Sequence, residues 1–343
     1  MSNTKRDEYI DAIRGAVIIL MLVGHSGAPK LVTTLIYGFH MPFFFILSGL
    51  LYNRTKWESK GLKKLVINKF KAYIIPYFIL CGINIAIEIF YDYLNGFTML
   101  QLYKKAKDSI IWVLYSYSTK ARMSTSVPLW FLPCIFLSTI LTYLFLKVKN
   151  RVLRGTVIAM GLMINVALKI YKAPPILPWH LGVAFVGAFF MIVGYYGKRA
   201  IDENATENNM AMILILSIIF LFCTELTGKV DVNVRNYGTH PFLFIVGSTA
   251  MSMALILLFK NYLPNSKVLT FLGQNTLVIM GFNYTINDYS AVIWKRVKLY
   301  SVIPYNWIVV CLLDIVACVI IIFAHNASVR LLDNYRSAAT HEI

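Results

Sequence analysis

Two ionisable residues sit where a lipid-spanning helix tolerates them least. The first long apolar run reads Asp11-Ala-Ile-Arg14-Gly-Ala-Val-Ile-Ile-Leu-Met-Leu-Val-Gly-His25, with ten residues between the arginine and the histidine. A helix needs ~20 apolar residues to cross a bilayer, so at least one of the two must lie at membrane depth. An ionisable group there carries a desolvation cost and marks a functional position. At ~100° per residue, eleven steps return to within roughly 20° of the start, so Arg14 and His25 share one helix face. At ~1.5 Å per residue they stand roughly 16 Å apart along the axis. Asp11 lies one turn before Arg14 on the same stripe.

The rest of the chain supplies the setting. Of its 343 residues 58% are hydrophobic, the mean hydropathy is +0.64, and charged residues make up 14%, well below the ~25% of soluble domains. This predicts one all-α membrane domain over residues 1–343. Its form is a helical bundle of about ten transmembrane helices with short tails at 1–8 and 331–343. The apolar stretches run over roughly 9–26, 31–52, 73–93, 127–147, 153–171, 177–197, 210–227, 241–260, 267–286 and 303–325. The run Ser109 to Tyr117 is too short to cross, and belongs at the interface or re-enters. No cleavable signal is expected, because Asp11 and Arg14 interrupt the first run and no small-residue cleavage site follows.

Orientation follows from Lys and Arg in the loops. With the N-terminus inside, the inner segments hold nineteen of them and the outer segments twelve. The difference rests on the 53–72 loop, where seven cations face only Glu58. Both termini are then cytoplasmic. The net charge of +17 mostly reflects these loops. The dense 53–72 cluster suits anionic headgroups or a phosphorylated ligand arriving from the cytoplasm. Nucleic acid is excluded as a partner, since no compact basic domain exists to hold it. The five cysteines all fall in apolar segments without metal-ligand spacing, so no metal site and no disulfide framework is expected. There is no glycine-rich phosphate loop and no serine nucleophile elbow.

Further polar groups recur inside apolar runs. The second stretch reads Tyr37-Gly-Phe-His40-Met-Pro42-Phe-Phe-Phe-Ile-Leu-Ser48-Gly49. Its hairpin with the first stretch brings His40 toward His25. Pro42 frees the carbonyl one turn back, and Gly38 and Gly49 permit close approach. Lys69 and Lys71 precede Pro76-Tyr77 and mark an inner mouth. Val127-Pro128-Leu129-Trp130 and Leu177-Pro178-Trp179-His180 each set a Trp in an irregular helix start at the outer side. Each reads either as interfacial belt or as a face for a sugar ring. Asp231, Asn233, Arg235, Asn236 and Tyr237 form an outer segment rich in hydrogen-bonding groups, a surface turn or an acceptor site. Gln274, Asn275, Thr276 and Asn283 make a polar stripe in the ninth stretch. Glu88, Glu225, Asp288 and Asp314 are candidate partners for His25 or Arg14, and the sequence does not choose among them.

Taken together, Asp11-x2-Arg14-Gly15, the Arg14-to-His25 spacing, Phe39-His40-Met41-Pro42-Phe43-Phe44 and Ser48-Gly49 resemble the acyltransferase-3 family of integral-membrane acyltransferases. That family includes bacterial O-antigen, capsule and Nod-factor O-acetyltransferases. Later landmarks follow in the same order: Lys69 and Lys71 before Pro76-Tyr77, Trp130-Phe131-Leu132, Leu177-Pro178-Trp179, Val230-Asp231 to Tyr237-Gly238, and Leu272-Gly273-Gln274-Asn275-Thr276-Leu277. The last three are similar to the branch related to fucose 4-O-acetylases. Two positions depart from the family pattern. Lys69 and Lys71 stand where arginines are frequent, which keeps the charge and loses the bidentate fork. Asn283 stands where many members carry a histidine. Members with a fused extracytoplasmic esterase-like domain are longer than a chain ending at Ile343, so any second transfer step is expected to need another protein.

The resemblance implies transfer of an acyl group, usually acetyl, from cytoplasmic acetyl-CoA to a hydroxyl of a cell-surface glycan or lipid-linked saccharide, in the bacterial inner membrane. A mechanism that fits the residues has His25 as general base on that hydroxyl, or as carrier of a short-lived acyl group, with Arg14 holding the CoA arm or a phosphate and pairing with Asp11. It puts the CoA phosphates near Lys69, Lys71 and Arg54. The acceptor falls near His40, Trp130, Trp179, Asp231 and Tyr237, with Asp11, Ser48 and Asn275 in support. Membrane lipids are further partners, and a homo-oligomer stays open. Two rival readings remain. One is a proton-coupled secondary transporter, although nothing in the second half of the chain echoes the Arg14/His25 pair. The other is acyl-CoA-dependent acylation of a lipid or small molecule.

Overall fold

The computed structural model describes residues 8–170, 176–203, 209–263, 266–298, 303, 304 and 306–341. Most of the expected N-terminal tail, residues 1–7, lies outside them. The helices in chain order are α1 (Glu8–His25), α2 (Lys30–Tyr37), α3 (His40–Leu50), α4 (Arg54–Lys69), α5 (Ile75–Leu94), α6 (Met99–Tyr115), α7 (Lys120–Met123), α8 (Phe131–Lys147), α9 (Arg151–Ile170), α10 (Leu181–Glu203), α11 (Met210–Thr227), α12 (Pro241–Asn261), α13 (Lys267–Gln274), α14 (Thr276–Arg296) and α15 (Trp307–His341). The fold is all-α. An isolated antiparallel bridge between Asp231 and Asn236 is the exception among the described residues.

Seven segments among the described residues are long and apolar enough to cross a membrane: Lys30–Leu50, Arg54–Leu94, Lys120–Lys147, Pro178–Asp202, Met210–Thr227, Pro241–Asn261 and Trp307–Val329. The protein is therefore a multi-pass membrane protein. Three of the ten expected stretches differ from these seven. Helix α1 carries Glu8, Asp11 and Arg14; the apolar part of α9 is short, Val152–Met163; and the ninth stretch breaks at Asn275 into α13 and α14. The second stretch also breaks, at Gly38 and Phe39, because Pro42 has no N–H for the Gly38 carbonyl.

Two segments expected outside the spans, the 53–72 loop and the short run Ser109 to Tyr117, lie largely in helices. The basic 53–72 segment is α4, capped by Asn53, whose side chain accepts from the Lys56 N–H at 2.8 Å. A kink at Gly61 (φ 77°) divides it and lets both Trp57 and Leu65 face inward. Between Lys69 and Ile75 the chain widens into a π turn, Phe70–Ile74. Pro76 explains it, since it cannot donate to the carbonyl one turn back. Ser109 to Tyr115 belongs to α6, which opens on a reciprocal capping box between Thr98 and Gln101 and ends at Ser116 in the left-handed region.

Of the five apolar clusters among the described residues, three surround helix α1 and the helices that face it. One joins Ile13 and Val17 of α1 to Phe43 and Ile46 of α3, Phe190 of α10 and Ile256 of α12. A second joins Ile18 and Leu22 to Leu272, Ile279 and Ile322. A third joins Tyr77 and Cys81 to Leu129, Leu132 and Met280. Helix α1 runs through the middle, packed against α13, α12, α14 and α15. Its contact with α13 is backbone on backbone: a Cβ on Gly15 would strike the Leu269 carbonyl, and one on Gly273 the Asp11 carbonyl. Small residues permit such approach between apolar helices, where packing rather than water exclusion drives association.

Gly15→Ala or Gly273→Ala should lower stability by on the order of 1–3 kcal/mol, the usual cost of overpacking. Gly82→Ala, where a Cβ meets nothing within 4 Å, should leave it unchanged. Thermal unfolding in detergent checks both.

Candidate active site

A cavity of about 300 Å³ opens where the three clusters meet. One wall is the stripe Arg14, Ile18, Met21 and His25 of α1, at the spacing of a single helix face. A second is His40, Met41, Phe44, Leu47 and Ser48 of α3, with Tyr37 from the end of α2. A third is Thr276, Leu277, Met280 and Tyr284 of α14. The π turn adds Ala72 and Tyr73, the irregular start of α8 adds Val127, Pro128 and Trp130, and the segment before α12 adds Asp231, Val232 and Asn233.

His25 is held from the side away from the cavity. Its Nδ1 lies 2.6 Å from Oδ1 of Asn283, and Nδ2 of Asn283 donates to Oδ2 of Asp314 at 2.9 Å. Asn287, with its amide nitrogen turned toward Asp314, donates to the two carboxyl oxygens at 2.8 and 2.9 Å. Asn283 and Asp314 are both fully buried. The remaining ring nitrogen, Nε2, is the one available to the cavity. Tyr284 packs edge-on to the imidazole at 4.9 Å between ring centroids, and Tyr37 bridges His25 and His40 at 6.3 and 5.1 Å. His40 bonds through Nδ1 to the Ile36 carbonyl at 2.9 Å, which makes Nδ1 the donor and again leaves Nε2 as acceptor.

Arg14 sits half-buried at the other end of its stripe, 3.3 Å from Oδ1 of Asp11. Asp11 is buried and also accepts from Gln274 on α13 at 3.3 Å. Asn275 caps the break before α14, and its side chain donates to the Phe271 carbonyl at 2.8 Å. Ser48 donates to the Phe44 carbonyl at 2.8 Å. At the far end Asp231 caps a single 3₁₀ turn by accepting from the Asn233 N–H at 3.1 Å. Burial raises its carboxyl above the ordinary carboxylate value, against the lowering effect of that N–H and of Lys229. Trp130 closes the same end, nearly buried, with His180 tilted against it at 4.8 Å.

The structure thus gathers Arg14, His25, His40, Ser48, Trp130 and Asp231 around one space, with Asp11 and Asn275 directly behind its walls. Lys69 stands just outside, its ammonium 5.4 Å from the ring of Tyr73, a wall residue, and 5.9 Å from that of Trp57. Lys71 is exposed and does not line the cavity, and Arg54 pairs with Glu58 at 2.7 Å. Trp179 is elsewhere: positive φ at Trp179 and His180 turns the indole outward, where Nε1 donates to the Leu114 carbonyl at 2.9 Å. Tyr237 stacks on Phe244 behind the cavity. Sequence reasoning missed Tyr37, Tyr73, Met280 and Tyr284 as wall residues. The i, i+4, i+8 spacing of Thr276, Met280 and Tyr284 was the available signal.

Apolar crossing helices around a cavity lined by two imidazole edges define a membrane-embedded protein with an internal polar site. The acyltransferase domain model of the acyltransferase-3 family matches residues 7–326. The chain belongs to that family, and it is an acyltransferase that takes an acyl donor and an acceptor. Neither a curated protein nor a solved structure matches it.

Trp130→Ala should slow acyl transfer per folded molecule by at least about tenfold, ~1.4 kcal/mol of transition-state stabilisation. Trp179→Ala should leave it within about twofold. Incorporation of labelled acyl groups in membranes, normalised to folded protein, separates them.

Proposed function

We propose that the protein moves an acetyl group from cytoplasmic acetyl-CoA to a hydroxyl of a cell-surface glycan or lipid-linked sugar in a bacterial inner membrane. The observation that carries this reading is the single cavity running from Arg14 and Tyr73 to Trp130 and Asp231, with His25 on its wall. The chain crosses the bilayer ten times with both ends cytoplasmic. Helix α1, α9 and the α13–α14 pair supply the crossings beyond the seven, and the excess of Lys and Arg on the inner side supports the direction.

The donor enters at the Arg14 end. Lys69 meets the CoA phosphates, and its place against the Tyr73 ring supports this over Lys71 and Arg54. The thioester reaches His25 along the stripe of Ile18 and Met21. The acceptor sugar enters at the opposite end, stacked on Trp130 and hydrogen-bonded by Asp231 and Asn233. His25 Nε2 takes the hydroxyl proton as the oxygen attacks the thioester carbonyl. The C–S bond then breaks, and the leaving thiolate takes the proton. Proton transfer of this kind is worth typically 10²–10⁴-fold. His40 Nε2–H is absent in its observed hydrogen bonding, so His40 serves the acceptor hydroxyl as a hydrogen-bond acceptor.

His25→Ala should abolish acetylation of the glycan while leaving the protein inserted and folded. Retained activity overturns the assignment. Lys69→Ala should raise the apparent KM for acetyl-CoA about tenfold and leave that for the acceptor unchanged. Deletion of the gene, with NMR of the surface glycan before and after alkaline de-esterification, identifies the acceptor; an unchanged glycan spectrum redirects the reading to a lipid or small molecule.

A further inference from the structure

We infer that Asn283 and Asp314 are positioning residues that fix His25 in the one tautomer able to accept a proton from the cavity. The inference rests on the reading of His25 as the base, and extends it to the residues that make it one. A neutral imidazole has one donor and one acceptor nitrogen, and the partner of Nδ1 decides which is which. Here that partner is an amide, which can present either its oxygen or its NH₂.

The choice is made one residue further away. Carboxylate oxygens accept and do not donate. Asp314 therefore calls for donors from α14, and receives Nδ2 of Asn283 at 2.9 Å and the amide of Asn287 at 2.8 and 2.9 Å. Asn283 and Asn287 are one helical turn apart, so both reach the same residue of α15. With its nitrogen committed to Asp314, Asn283 can offer only Oδ1 to His25, at 2.6 Å. Nδ1 must then carry the hydrogen, and Nε2 keeps its lone pair for the cavity. Without Asp314 the amide can turn over. Its NH₂ then faces Nδ1, the hydrogen moves to Nε2, and the cavity meets a donor where it needs a base. Both residues are fully buried, so water does not substitute for either. The arrangement orients the imidazole through a neutral amide, with the acid one residue removed from the ring.

The test reads the tautomer directly. ¹⁵N NMR of histidine-labelled protein in detergent, with the His25 signals identified by their loss in His25→Gln, should show a protonated Nδ1 and an unprotonated Nε2. In Asp314→Leu the two forms should mix or invert. A wild-type ring protonated at Nε2, or a pattern unchanged in Asp314→Leu, overturns the proposal. Kinetics give the second arm. Asn283→Leu and Asp314→Leu should each lower kcat at least about 30-fold with the KM for acetyl-CoA within twofold. The double variant, which leaves neither buried polar group to be satisfied, should fold and be no slower than the worse single variant. Activity near wild type in that folded double variant assigns the pair a packing role only and overturns the proposal. If instead His25→Ala keeps its activity, the base assignment falls while the tautomer measurement still stands or fails by itself.

Discussion

Placing Asp11, Arg14 and His25 on one face of α1 inside an apolar bundle creates a debt of hydrogen bonds that only distant parts of the chain can meet. Buried polar groups are costly unless satisfied. Gln274 reaches Asp11, Asn283 reaches His25, and Asp314 reaches Asn283. The first two of these bonds span more than two hundred residues, and the third joins α15 to α14, so the C-terminal helices are tied to the N-terminal one by hydrogen bonds as well as by packing. Helix α14 is held from its other flank too. Asn84 of α5 donates to the Gly281 carbonyl at 3.0 Å and accepts from Thr285 at 2.9 Å. The helix that orients the histidine therefore has little freedom to slide.

The two ends of the cavity differ in chemistry. At one end are a guanidinium, the π turn and, just outside, an ammonium held over aromatic rings. At the other are Trp130, Asp231 and Asn233. On the proposed reading the first end takes the anionic donor and the second a polyhydroxylated acceptor, whose apolar ring face and hydroxyl edge match an indole and an amide–carboxyl pair. The family implies two substrates, a donor and an acceptor.

Sequence periodicity disclosed α1 well, because a helix face is a local property: Arg14 and His25 line one wall with Ile18 and Met21 between them. The missing N–H of Pro42 foretold irregular backbone in the second stretch, whereas Pro76 marks only an inner mouth in the sequence and the structure adds there a π turn that contributes Tyr73 to the site. The partner of His25 was beyond reach of the sequence. Four carboxylates qualified by hydropathy alone, and only the packing of α14 on α15 selects Asp314. Trp130 and Trp179 illustrate the other limit. Both follow Pro in a helix start, yet left-handed backbone at Trp179 and His180 rotates one indole away from the space the other one closes. A local motif states residue types; the dihedral that aims them comes from the surrounding bundle.

The apolar middle of the cavity then has a reason of its own. Ile18, Met21, Phe44 and Met280 line the cavity between the Arg14 end and the Trp130 end, around the histidine. If the acyl group meets His25 as proposed, it is open there to attack by water as well as by the acceptor hydroxyl. Excluding water suppresses that side reaction and strengthens every hydrogen bond made inside. On the side away from the cavity His25 meets Asn283 and Asp314, both fully buried, so its tautomer there is set by protein groups. The base proposed at His25 needs its direction set by the protein itself, and Asp314 acting through Asn283 would set it from one residue away from the ring.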